Sequence, residues 1–185
     1  MRFNNHFELE GRHAPFSASQ SSWLRYDDEK MLSRYSRLQA AARGTRLHAW
    51  AKETIDLRIR QPESNATIYR YVNDAIGYNM QTEVVLFYSK YFFGTADTIS
   101  FRKNFLRIHD LKTGDHRVTK EQLYVYAALF CLEYKIKPGE IEIELRIYQN
   151  DDVQIFNPTA DEIVPIMDKI VRTTKLLEKV DYGEV

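Results

Sequence analysis

The feature that most constrains this chain is the segment Thr95–Lys112, two runs rich in β-branched and aromatic residues separated by Arg102-Lys103-Asn104-Phe105. Asn tolerates positive φ and charged residues flank it, so Lys103-Asn104 reads as a two-residue hairpin turn. A two-residue loop fixes the register: Arg102 pairs with Phe105, and counting back along both strands sets Asp97 directly opposite Asp110. Carboxylates in that relation have Cβ atoms about 4.5–5.5 Å apart, where like charges destabilise a sheet. Lys112 shares a face with Asp110 by strand alternation, and Leu111 projects to the other face with its main-chain carbonyl free at the sheet end. Two readings follow. Asp110 and Lys112 form a surface ion pair with Asp97 a turn residue, or a divalent cation between the carboxylates converts repulsion into coordination. Two hard carboxylates beside one ammonium is also the composition of a magnesium or manganese site for phosphodiester hydrolysis.

The rest of the chain supplies the layers around this hairpin. Before it, Ser17 or Ser19 can cap a helix from about 20 to 37. A second helix runs from Ala40 through Leu47, Trp50 and Ile55 to end before Pro62, and Thr67 caps a third reaching Gly77. Glu83–Tyr88 reads as a strand preceding the hairpin. After it, Leu123–Tyr134 is apolar nearly all round and reads as a helix packed on a sheet. Ile141–Tyr148 alternates as a fourth strand, Val153–Phe156 forms a fifth, and residues 158–178 form an amphipathic closing helix. The expected fold class is α/β, a mixed sheet flanked by helices. With 185 residues and no repeat or linker, one domain is expected over 1–185, its core at about 17–150 and a C-terminal helix at about 159–179.

Composition narrows the chemistry. Lys plus Arg (26) equal Asp plus Glu (26), so no global field draws the chain to a polyanion and any such site is local. Residues 1–60 and 101–120 nevertheless carry excess Lys and Arg, and 138–185 excess Asp and Glu. That pattern reads either as a basic, DNA-facing front or as a solvated acidic tail helix. The lone Cys131 excludes an intrachain disulfide framework or an iron–sulfur cluster and fits a reducing cytoplasm. The seven glycines build neither GxxxxGK[ST] nor GxGxxG, so no ATP-driven motor of that type is expected. No apolar run is long enough for a membrane span, and no secretory leader is read.

Four motifs in order resemble the RecB-type branch of the PD-(D/E)XK nucleases: Gly44-Thr45-Arg46-Leu47-His48, Gly94-Thr95-Ala96-Asp97, Asp110-Leu111-Lys112 and Gln122-Leu123-Tyr124-Val125-Tyr126. The serine-rich start Ser17–Leu24 is similar too, and the resemblance covers about residues 17–150. It implies a restriction-endonuclease-like core, with Asp97, Asp110 and the Leu111 carbonyl holding Mg2+ or Mn2+, Lys112 catalytic, and His48 coordinating metal from the helical side. Gln122 and Tyr126 then position DNA. Taken alone, His48 also reads as an ordinary histidine, Tyr126 as core and Gln122 as a helix-start residue. Glu83 reads either as a further metal acid or as an edge-strand charge. Arg43, Arg46 and Arg117, with Arg102 and Lys103, are the candidate DNA-binding cations. Tyr26-Asp27-Asp28 replaces the Cys-Pro common after the first serine helix, and no helicase is fused.

The implied activity is a metal-dependent DNA exonuclease like the small lambda-type enzymes of phage and prophage recombination, working in the cytoplasm, or the host's if phage-encoded. The expected partners are DNA, a recombination or single-strand annealing protein, and further copies of the chain, the last through the stripe Ile163, Ile166, Ile170 and Leu177 unless that stripe packs on its own sheet. The alternatives are a structure-specific endonuclease or junction resolvase, and a non-cleaving module that binds DNA or a protein.

Overall fold

The computed structural model describes residues 7, 14–114 and 119–183. The chain divides into two compact units, Met1–Thr45 and Arg46–Val185. In the first, a 3-10 turn spans Ala18–Arg25 and Tyr26 leaves it in extended conformation (φ −91°, ψ 139°). Helix α1 (Asp28–Asp56) then starts, and the division between the units falls within it. This corrects the expected pair of helices broken before Ala40. The break lies earlier, because the Asp27 carboxylate accepts the Lys30 N–H at 2.8 Å and so caps α1 at Asp28. Gly44 does not interrupt α1; its cost of about 1 kcal/mol relative to Ala is offset by the strong helix formers around it.

The second unit is built on a five-stranded sheet of order β1-β2-β3-β4-β5, with β1 Gln81–Ser89, β2 Phe92–Arg102, β3 Phe105–Leu111, β4 Glu142–Gln149 and β5 Asp152–Phe156. All neighbours are antiparallel except β3 and β4, which are parallel. Parallel neighbours require a crossover, and helix α3 (Glu121–Tyr134) supplies it. The architecture is therefore α/β, a mixed sheet flanked by helices. On one face α3 and α4 (Ala160–Asp181) bury Leu86, Ile99, Leu106, Ile108, Leu145 and Ile147. On the other, Ala51 and Ile55 of α1 join Tyr71, Val72 and Ala75 of α2 (Thr67–Gly77) over Leu111 and Tyr148.

Two helix starts differ from the sequence reading. Thr67 is the first residue of α2 rather than its cap, and Asp151, from the turn between β4 and β5, accepts both its N–H (3.0 Å) and its hydroxyl (3.1 Å). The cap is 84 residues away in the chain, beyond the reach of any local pattern. Helix α4 begins at Ala160, after a Thr159–Glu162 capping box. In α4, Ile163 and Ile170 are buried and Ile166 packs against the same core beside α3, while Leu177 lies outside that core and is half-buried. No helix among the described residues is long and apolar enough to cross a membrane.

Candidate active site

The β2–β3 turn has Lys103 and Asn104 both left-handed (φ 50° and 60°), and the strands pair from Arg102↔Phe105 to Thr98↔His109 in the register the two-residue loop dictates. The next position places Asp97 across from Asp110, and there the regular ladder ends. Asp97 Oδ2 accepts the Leu111 N–H at 2.9 Å, taking the place of a backbone carbonyl.

A matching irregularity lies on β1. The pairs Thr82↔Thr98 and Val84↔Ala96 straddle Glu83 and Asp97, which are not themselves paired, and Glu83 has φ 51°. A left-handed glutamate within a strand costs on the order of 1 kcal/mol or more, and such residues cluster at functional sites. Its effect is visible in the core, where Ala96 and Ile99 belong to the same buried cluster although three residues apart. Strand alternation would put them on opposite faces. The strand changes phase at Asp97, which frees its carboxylate to turn into the β2–β3 junction.

Around the two carboxylates the structure assembles residues from four elements. His48 of α1 places Nδ1 3.6 Å from Asp97 Oδ2. Lys112, just past β3, holds its Nζ 2.9 and 3.1 Å from the two Asp110 oxygens and donates to Gln122 Oε1 at 3.1 Å. Gln122 Nε2 in turn donates to the Tyr126 hydroxyl at 3.0 Å, the i,i+4 pair of α3. Burial, followed by the Asp110 charge, raises the Asp97 carboxyl to about 6; the Leu111 N–H, His48 and Lys112 oppose the rise. Tyr71 is buried on α2, and its phenol is held well above the usual range by burial and by the Asp97 and Asp110 charges. Sequence reasoning missed Tyr71, since a helical tyrosine at core spacing carries no signal beyond packing.

The glycine of the Gly94-Thr95-Ala96-Asp97 motif has a steric reason. A Cβ on Gly94 would stand 2.8 Å from Tyr126 Cε1, so only glycine admits the ring at this approach. Gly94→Ala is expected to destabilise the protein by about 1–3 kcal/mol through overpacking. In a Tyr126→Ala background the same change should cost under about 0.5 kcal/mol. Denaturant melts of the four proteins measure the coupling, and additive effects would contradict the contact.

Not every expected residue joins the site. Glu83 is exposed; its charge acts on Lys52 and Tyr71, and no hydrogen bond or ion pair among the described residues ties it to the carboxylates. Arg102 and Lys103 sit at the far end of the hairpin from Asp97, five strand residues or roughly 17 Å away. Arg46 is exposed on α1 two residues before His48, a rotation that points it away from the histidine's side of the helix. Arg43 is exposed in the first unit, and Arg117 lies outside the described residues.

No group of three or more His, Cys, Asp and Glu side chains among the described residues is placed to hold a metal ion. His48 contacts a carboxylate instead of completing a three-ligand cage. The carboxylate pair nonetheless fits a hard divalent cation. Asp110 Oδ2 is buried and accepts no aligned hydrogen bond although Lys112 Nζ is near, and a cation would offset both the burial and the Asp110 charge that raise Asp97. No protein-family model, curated protein or solved structure matches the chain.

Proposed function

We propose that the chain is a metal-dependent DNA exonuclease with a restriction-endonuclease-like core, of the RecB-type PD-(D/E)XK kind. The observation that carries this reading is the convergence on Lys112. Its ammonium joins Asp110 of β3 to Gln122 of α3, while Asp97 of β2 faces Asp110 and is itself contacted by His48 of α1. A surface ion pair has no need of a buried second carboxylate, a histidine and a glutamine–tyrosine pair around it.

In this reading Asp97, Asp110 and the Leu111 main-chain carbonyl hold Mg2+ or Mn2+. The ion, when bound, lowers the pKa of a coordinated water and offsets charge on the phosphate. The protein's own groups do the rest. Asp97, anchored by the Leu111 N–H, keeps its carboxylate fixed between two strands. His48 braces Asp97 from the helix side. Lys112 orients the attacking water by hydrogen bonding and counters the negative charge that develops on the phosphoryl oxygens. Gln122 and Tyr126, linked to each other, position the strand on the open side of Lys112. DNA is the substrate, a recombination or repair setting in the cytoplasm its context, and a single-strand annealing protein a fitting partner.

A site that needs a strand end, on a segment that carries no motor-type phosphate loop of its own, advances by cleaving. Linear DNA is therefore expected to be degraded with Mg2+ and without ATP, EDTA to stop the reaction, and covalently closed circles to survive enzyme levels that consume the linear form. Gel and acid-solubility assays on matched substrates measure this. Nicking of circles at a comparable rate would replace the exonuclease with an endonuclease, and inertness toward all DNA with both metals would leave a binding module.

A further inference from the structure

The first unit carries a second cluster of unused chemistry. From Lys30 to Thr45 the sequence contains no Asp or Glu, yet it holds Lys30, Arg34, Arg37 and Arg43. Within the first unit, Lys30, Arg34 and Arg37 recur at i, i+4 and i+7, one face of α1, whereas Asp28 and Glu29 fall on other faces. Lys30 and Arg34, with Arg25 from the preceding turn, lie around the Tyr26 ring. Lys30 Nζ lies 4.5 Å from the Tyr26 ring centroid, and the Tyr26 hydroxyl is 3.4 Å from Ser22 Oγ. The charges of Arg34, Lys30 and Arg25 also act on the Tyr26 phenol, helping the Ser22 bond to lower its pKa.

Among the described residues no carboxylate pairs with the cations of this face, Lys30, Arg34 and Arg37, or with Arg25, and Asp27 is occupied in capping α1. Like charges brought together cost free energy that only a counter-charge recovers. Tyr26, at the base of α1, is the ring that this face of cations borders. Cations that track a backbone, beside a ring that offers a flat face, are the composition of a sequence-tolerant single-strand site; a duplex would keep its bases out of reach of the ring.

We infer that the first unit binds single-stranded DNA, with Arg25, Lys30, Arg34 and Arg37 on its phosphates and Tyr26 stacked on a base. The choice of DNA over another polyanion rests on the nuclease reading above. The unit then serves as a hold on the unpaired strand, adding affinity without taking part in hydrolysis.

The test uses the full chain in EDTA, so that binding is read without cleavage. Fluorescence anisotropy of a labelled oligodeoxythymidylate of about 20 nucleotides is followed across a salt series. Each phosphate neutralised on a single strand adds about 0.7 to the log–log salt slope, so the Arg25→Ala/Lys30→Ala/Arg34→Ala variant is expected to lose about 2 from that slope and at least tenfold in affinity. Tyr26→Leu should weaken binding at least about fivefold with the slope unchanged, and Tyr26→Phe should restore it. Circular dichroism confirms that helicity persists, and a Lys30→Arg/Arg34→Lys variant, which conserves charge, should bind as the wild type does. An unchanged slope and affinity in the triple variant overturns the site. Equal losses on blunt duplex overturn the single-strand assignment, and equal binding of poly-glutamate overturns the choice of nucleic acid. Hydrolysis with Mg2+ is assayed separately, so a protein that binds through this patch and cleaves nothing refutes the nuclease alone.

Discussion

Lys112→Ala is expected to lower DNA cleavage by about 10³-fold or more while leaving metal-free DNA binding nearly unchanged. Removing one preorganised group from a site of developing charge typically costs this much, because the interaction is made in the transition state and hardly at all before it. On the proposed reading the lysine is held ready. Asp110 and Gln122 fix the ammonium from two sides, so little reorganisation would accompany the proposed reaction. The structure also warns of a side effect, since Asp110 is buried and its only cation is Lys112 among the described ion pairs. The variant should therefore melt somewhat lower in EDTA, with Mg2+ restoring part of the difference. Single-turnover rates beside thermal melts separate the two effects, and cleavage within about threefold of wild type would remove Lys112 from the mechanism.

Asp97→Asn is expected to abolish cleavage and, without metal, to make the protein as stable as the wild type or more so at neutral pH. The sign follows from the raised carboxyl. In the folded state Asp97 titrates at about 6, above its ordinary 3.8, so the fold holds that proton more tightly than the unfolded chain does. Stability from this group is fully present below about pH 4 and is lost as the pH rises through about 6. A shift of that size corresponds to about 3 kcal/mol, or roughly 6–12 °C in melting temperature for a domain of this length. The wild type in EDTA should show that decline between pH 4 and 7, the variant should not, and Mg2+ or Mn2+ should raise the melting temperature of the wild type alone. Asparagine keeps an oxygen to accept the Leu111 N–H, which limits any structural cost. Asp110→Asn differs, because it strips Lys112 of its counter-charge, and it is expected to destabilise while also abolishing cleavage. A metal-free Asp97→Asn protein that melts well below wild type at pH 7.5 would make Asp97 a structural residue.

The hairpin at the centre of the site was legible because two-residue turns couple local backbone sterics to long-range register. Lys103 and Asn104 had to accept positive φ, and once they did, alternation left one partner for each residue back to Thr98 and His109. The strands of the hairpin were legible from their β-branched and aromatic residues, β4 from its alternation, and α3 from an apolar run that only a helix covered on several sides can bury. The pairing of Gln122 with Tyr126 was likewise local, one helical turn.

What the sequence could not determine rests on contacts between residues remote in the chain or on a break in a regular pattern. Where α1 begins was decided by the Asp27 cap, and where α2 begins by Asp151 across the fold. The phase change at Glu83 and Asp97 contradicts the alternation on which strand reading depends, and no local residue announces it. Tyr71 enters the field of the carboxylates only because α2 lies over the end of β3, and Arg102 and Lys103 leave the site because β2 and β3 carry them to the far end of the hairpin. The sequence by itself determined which residues pair across the hairpin and which share a helix face, because those relations are set by backbone geometry within one or two elements. Only the tertiary structure decided that His48, Lys112 and Gln122 meet at the carboxylates, because that meeting depends on how α1 and α3 pack on opposite faces of the sheet.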